Sequence, residues 1–444
     1  MRPLLIMKKT VFLVLIGMIS LSGILSAQDS SYDKYAPVYS SEASRTSSHN
    51  LLANLPVYPF EIVRYPIDKS LVAIEKYHMD TKTQWIYEWL DNHGVRPKIG
   101  ILNPLSMKLG ADFDLARIAH IKTSQPNAIL NSWIYWAGQD FFKIGAQAGW
   151  ERIHDTGFEV KSLINYEDRH RQHFYGIGPD TSRGDSGVYE REETVVQGSL
   201  GYAFDFIHKF EFTTAFHNVN ISDGQDSGSG QFASTRVFND VATPGLHGEP
   251  FFSFGPELSR DSRNQKENST KGGLQRIGLS FNEGWHSSDA RFFKYFLDGS
   301  QYFKLGSERR VIALRGYGEY NNELPNHIVP FHEMPRLGGH GTSPDLSYTL
   351  RGFDQNRFTD KGLALFNLEY RYTIWEYREW KADTILFWDE GQTFKKFSKF
   401  QMQDFRESYG IGFRVSLANI VVISTELAHG DEGTNLYVRS SAPF

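Results

Sequence analysis

The chain has no cysteine among its 444 residues. That excludes disulfides, thiol nucleophiles, cysteine-based metal sites and a lipid-bearing cysteine. Long apolar runs are missing as well: after Ala27 nothing approaches the roughly eighteen consecutive apolar residues that a spanning helix needs. Glycine-rich phosphate loops, blocks of basic charge, a Gly-x-Ser-x-Gly nucleophile motif and convincing paired-carboxylate hydrolase signatures are also wanting. The expectation is therefore a chain that is not an enzyme, holds no cofactor or metal and binds no nucleic acid.

What is present begins with a secretory layout. Lys8 and Lys9 precede an apolar run over residues 11–25, and Ser26-Ala27-Gln28 offers small residues for cleavage. Residues 1–27 read as a signal peptide, started from Met1 or Met7, with the mature chain beginning near Gln28. Residues 28–95 form the next unit. Within it, 28–50 is a Ser-rich, polar linker. Over 66–92 a helical spacing follows: Pro66 near the start, then Leu71, Ile74, Trp85, Ile86, Trp89 and Leu90 by threes and fours, with Gly94 past the end. This helix is expected to cover the barrel mouth on the periplasmic side, or to plug it or dock a partner through Trp85 and Trp89.

From 96 to 444 the period changes to two. Phe210, Phe212, Thr214 and Phe216 alternate with Lys209, Glu211, Thr213 and His217. Ile277, Leu279 and Phe281 oppose Arg276, Ser280 and Asn282, and Phe366 through Ile374 on even positions oppose Asn367, Glu369, Arg371 and Thr373. Tyr409, Ile411, Phe413 and Val415 oppose Ser408, Gly410, Gly412 and Arg414; Leu436, Val438 and Phe444 oppose Asn435, Tyr437 and Arg439. Full charges on the hidden face suit a wet lumen better than a dry sandwich core. A mean hydropathy of −0.42 and 14% aromatic residues fit a barrel whose lipid face alternates with a polar interior and whose rims carry aromatic girdles. The pattern predicts an all-β fold, a transmembrane antiparallel barrel of about sixteen strands. Its last strand should pair with the first. An even count puts both ends in the periplasm, with long extracellular loops at 169–189, 220–248, 321–350 and 391–406. Short periplasmic turns follow at 205–208 and 418–419, and the register demands one long periplasmic connection at 261–273.

The most specific stretch runs from Pro335-Arg-Leu-Gly338-Gly339-His-Gly through Leu350-Arg351-Gly352-Phe353. It continues into Asn367-x-Glu369-x-Arg371, Phe387-x-Asp389-x-Gly391 and Ser408-Tyr-Gly-Ile-Gly-Phe-Arg414. By alternation Glu369 and Asp389 face the lumen, where one planar guanidinium can pair with two carboxylates. These ordered elements, with Phe174-Tyr-Gly-Ile-Gly178 upstream, resemble the bacterial surface-antigen superfamily of BamA/TamA-type outer-membrane barrels. The resemblance implies that Leu350-Arg351-Gly352-Phe353 lies in a long loop folded back into the lumen. There Arg351 would lock onto Glu369 and Asp389, and lumenal water would keep the effect modest. Phe444 would be the C-terminal barrel signal. It further implies location in the bacterial outer membrane, contact with its lipids, and a role in assembling or translocating proteins there on polypeptide substrates.

One departure stands out. Members of that superfamily carry periplasmic polypeptide-binding (POTRA) domains of about eighty residues each, and the stretch before residue 96 has no room for a convincing one. Dependence on a partner, outer-membrane assembly machinery or a lipoprotein, is the expectation. A structural or receptor barrel scaffolding a lipoprotein, or a small solute channel, stays open as the alternative. Two decoys are set aside. Gly184-Asp185-Ser186-Gly187 copies a serine-protease motif but lacks its sequence context. His327, His332 and His340 near Glu333, and Glu167, Asp168, His170 and His173, have no regular metal-ligand spacing.

Overall fold

The computed structural model describes residues 89–444 apart from 104–105, 120–127, 139, 154–155, 225–237, 240–242, 287, 340–346, 378, 418–419, 440–441 and 443. The expected signal peptide, the linker and nearly all of the 66–92 helix, Trp85 included, lie outside the described residues. The helix is seen only in its last turn, residues 89–92, closed by Gly94 at φ +78°.

Sixteen antiparallel strands form one sheet in chain order. Its first half is β1 (Val95–Asn103), β2 (Ser106–Asp114), β3 (Ala128–Trp136), β4 (Phe141–Trp150), β5 (Phe158–Phe174), β6 (Gly187–Ala203), β7 (His208–Asp223) and β8 (Pro250–Asp261). β9 (Gly272–Gly284), β10 (Arg291–Lys304) and β11 (Arg310–Glu323) extend it. Three two-residue strands, β12 (Arg336–Leu337), β13 (Ser347–Tyr348) and β14 (Phe358–Thr359), make a separate small sheet inside one long loop. β15 (Gly362–Tyr377), β16 (Trp380–Phe394), β17 (Arg406–Leu417), β18 (Ile420–Gly430) and β19 (Gly433–Arg439) complete the wall. No helix among the described residues is long and apolar enough to cross a membrane, which leaves crossing to the strands.

The alternation sorts the side chains as the period of two requires. Leu200 (61%), Ile277 (56%), Tyr409 (60%) and Leu436 (54%) are exposed on the outer face, while Asn367, Glu369, Asp389 and Arg414 are fully buried inside. An apolar exterior over a charged interior is the reverse of a water-soluble sheet and matches a lipid-embedded wall. The two longest connections, β7 to β8 and β11 to β15, share one end. The tight turns β6 to β7, β10 to β11, β15 to β16 and β17 to β18 share the other, together with the longer β8 to β9 connection. In bacterial barrels the short end is periplasmic, and this orients the molecule.

Two expectations need correction. β1 and β19 come within contact distance, but among the described residues no hydrogen-bonded register joins them; the ladder runs from β1 to β19 and stops. Phe444, expected on the outward face with Leu436 and Val438, instead packs inside against Tyr302, Val311 and Ala313. β19 ends at Arg439, so the strand parity no longer governs the residues beyond it.

Candidate functional site in the barrel lumen

The loop between β11 and β15 folds back into the barrel. β12 lies between β13 and β14, parallel to the first and antiparallel to the second, and a bridge ties Gly339 to Leu350. Gly338 (φ +130°) and Gly339 (φ +71°) take left-handed backbone that turns the chain after β12. A Cβ on Gly338 would stand 2.4 Å from the Asp354 carbonyl oxygen, so the two loop limbs pack backbone to backbone there. The tip is anchored by Leu337, Leu350, Phe353 and Phe358 against Tyr317, Leu363 and Leu365 of β11 and β15.

This packing delivers Arg351 to the wall. Its Nε and Nη2 each donate to Asp389 over 2.7 Å, and Nη1 donates to Glu369 Oε1 over 2.8 Å. The Arg351 main-chain N–H adds a fourth bond to Asp389, at 3.2 Å. The guanidinium carbon lies 3.5 Å from the centroid of the Phe387 ring, a cation–π stack with little water to weaken it. Gly410 makes room for that ring: a Cβ there would fall 2.4 Å from Phe387 Cζ and 2.1 Å from the Leu427 carbonyl oxygen. Asn367 donates to both Asp389 (2.8 Å) and the Thr349 carbonyl (3.0 Å), joining wall and loop. Gly352 sits at φ +92°, where a Cβ would meet the Gly430 backbone at 2.9 Å. Gly391 is likewise pressed, by Leu337 of the loop, whose Cδ2 lies 2.7 Å from where a Cβ would be.

The structure thus brings together Leu350, Arg351, Gly352, Phe353, Asn367, Glu369, Arg371, Phe387 and Asp389, with Gly338, Gly339 and Gly391 shaping the backbone around them. Phe444 joins from elsewhere, its ring 5.7 Å from the Arg371 guanidinium carbon. Sequence reasoning missed Glu426, whose carboxylate lies 3.5 Å from Arg351 Nη1 and pairs with Arg439. It also missed the part played by Tyr437, whose hydroxyl accepts from the Gly352 N–H (2.9 Å) and donates to the Phe353 carbonyl (2.7 Å). The signal for Glu426 was available: a carboxylate on the lipid face of β18 is destabilising, so it had to face inward.

The cluster is also drier than expected. Arg351, Arg414, Glu369, Asp389 and Glu426 are all at 0% exposure. Arg371 donates to Glu369 Oε2 at 2.8 Å, and Arg414 stands 3.6 Å from both Glu369 and Glu426. Four guanidiniums therefore interleave with three carboxylates, so every carboxylate meets a guanidinium rather than solvent and the cluster keeps one positive charge over.

The decoys separate. His332 is buried beside Glu333, His327 is half-buried near the Asp289 carbonyl, and His340 lies outside the described residues. His170 touches Asp168 and Glu190 through its two ring nitrogens, at 3.1 and 3.0 Å, whereas Glu167 joins Lys143 in the lumen. Asp168, His170 and Glu190 are the one grouping among the described residues with metal-compatible spacing. The Gly184–Gly187 stretch begins in a 3₁₀ turn, Arg183–Asp185, capped by Ser182.

With this geometry in view, the family model for the Omp85 superfamily domain matches residues 131–430. The chain belongs to the Omp85 superfamily. BamA from Haemophilus ducreyi lacking POTRA domains 1–3 is 16% identical, with a TM-score of 0.54, over 78% of this chain and 69% of that one. CdiB from Escherichia coli is 12% identical, with a TM-score of 0.49, over 78% of this chain and 62% of that one. At such identities the likeness speaks for the fold alone. No curated protein matches. Omp85 proteins are outer-membrane β-barrels of a family concerned with protein assembly and translocation, and this chain takes its place among them.

Proposed function

We propose that this Omp85 barrel assists the assembly or translocation of polypeptides at the outer membrane, without enzymatic chemistry and together with a partner. The observation that carries the reading is the Arg351 seat: a loop 0% exposed at its tip fills the lumen of an Omp85 wall. A barrel so filled is disfavoured as an open solute pore. The partner this reading expects is outer-membrane assembly machinery or a lipoprotein.

Depletion of the protein followed by quantitative proteomics of the outer membrane tests this. The expected result is a selective fall in other outer-membrane or surface proteins, and purification in gentle detergent should recover the partner. An unchanged outer-membrane protein profile would remove the assembly reading and leave a scaffolding role for whatever lipoprotein co-purifies.

A further inference from the structure

The long connection between β8 and β9, residues 262–271, does not hang into the periplasm. It folds up into the lumen, leaving Asn268 at 8% and Ser269 at 1% exposure. Asn264 braces the turn from within, its Oδ1 accepting from Ser269 Oγ (2.9 Å), Thr270 N (3.1 Å) and Lys271 N (3.0 Å). Arg263 clamps Asp261 through Nε and Nη2 and reaches the Lys266 carbonyl through Nη1. Asn268 stands at the tip in left-handed backbone, φ +46°, a conformation that asparagine tolerates better than most residues.

The tip is bonded to strands several places further round the wall. Asn268 Nδ2 donates to Asp383 on β16 (3.1 Å) and to Ser416 on β17 (3.3 Å). Its Oδ1 accepts from Arg414 (3.3 Å) and Arg371 (3.5 Å), and the Ser269 carbonyl accepts from Arg371 (3.3 Å). Arg371 spends its Nε on Glu369 Oε2, and the other oxygen of Glu369 holds Arg351. Glu369 thus holds the extracellular loop directly through Arg351 and the periplasmic turn at one remove, through Arg371 of β15.

We propose that the 262–271 turn is a resident stopper on the periplasmic side, and that Glu369 couples it to the extracellular loop. Either loop seated holds Glu369 and its arginines in the arrangement the other needs, so the two seat and leave together. This holds whatever the barrel handles. It makes the periplasmic turn the place where a partner or substrate arriving from that side would begin to open the lumen.

The absence of native cysteine makes the test clean. In the full chain, Asn268→Cys with Ser416→Cys places the only two thiols where the tip meets the wall. The pair should oxidise in the folded, heat-modifiable fraction. Planar-bilayer recordings of the same preparation before and after dithiothreitol should then show a quiet barrel that opens about tenfold more often once reduced, because the reduced variant has neither the cross-link nor the Asn268 side-chain hydrogen bonds. In a separate Asn268→Ala variant, trypsin should cut the extracellular loop at Arg336, Arg351 or Arg357 several-fold faster than in the parent. Failure of the pair to cross-link in folded barrel, or conductance indifferent to reduction, would overturn the stopper. Unchanged trypsin cleavage would overturn the coupling. Should Asn268→Ala not fold, trypsin cleavage of the oxidised and reduced cysteine pair decides the coupling in the same way.

Discussion

Removing Arg351 is the perturbation whose size the structure defines best. Arg351→Ala deletes three charge-assisted hydrogen bonds from side-chain nitrogens and the stack on Phe387. It leaves Asp389 without its guanidinium in a pocket with no solvent exposure, while Glu369 and Glu426 keep Arg371, Arg414 and Arg439. Each such bond contributes about 1.5–3 kcal/mol net of the exchange with water. Breaking a buried ion pair from one side costs about 3–5 kcal/mol. Water entering the vacated volume would solvate the carboxylates, which favours the lower end of that range. At about 3 kcal/mol the population of undocked loop rises roughly 150-fold, since 1.36 kcal/mol is a factor of ten. The wall itself keeps its sixteen-strand ladder, so heat-modifiable migration should survive while limited proteolysis cuts within residues 324–361. Arg351→Lys should recover only part of the protection, because an ammonium cannot form the two-toothed pair with Asp389 and still reach Glu369. A folded Arg351→Ala barrel whose loop resists protease as the parent does would refute this reasoning.

Three further outcomes follow from the same geometry. Tyr437→Phe strands the Gly352 N–H and the Phe353 carbonyl in a buried site, and should loosen the loop by about 1–3 kcal/mol in the same protease assay. Gly410→Ala should lower the yield of heat-modifiable barrel in detergent refolding, since its Cβ would fall 2.1 Å from the Leu427 carbonyl oxygen. Burial holds the His332 imidazole below its ordinary pKa of about 6.5, with Glu333 opposing the shift. The docked turn Phe331–Glu333 therefore binds fewer protons than the freed loop. Its seating should be complete above that pKa and weaken as pH falls below it, and His332→Gln should flatten the pH dependence of loop proteolysis.

The wall was legible in the sequence because lipid imposes a strict rule. Each inward charge alternates with an outward apolar residue, so parity alone placed Asn367, Glu369, Asp389 and Arg414 inside. The Arg351 seat was legible because its partners lie on adjacent strands with ordered motifs. Glu426 and Tyr437 escaped because nothing local in β18 or β19 states which loop they will meet; that depends on how the sheet curves. The dryness of the cluster escaped for a related reason. A charged interior reads as wet until the loop and the 262–271 turn are seen to fill it from both ends. Phe444 escaped because alternation holds only while the strand lasts, and β19 ends at Arg439.

The central claim, that Arg351 seats the loop by its pairing with Asp389, is tested most directly by a double-mutant cycle. Loop protection from protease would be measured for the parent, Arg351→Ala, Asp389→Asn and the double variant. The pair's mutual burial predicts strong non-additivity: each single change costly, the double about as costly as one of them, and a coupling energy on the order of 1–3 kcal/mol. Costs that simply add would contradict it, for they would mean that the two residues stand side by side without holding each other.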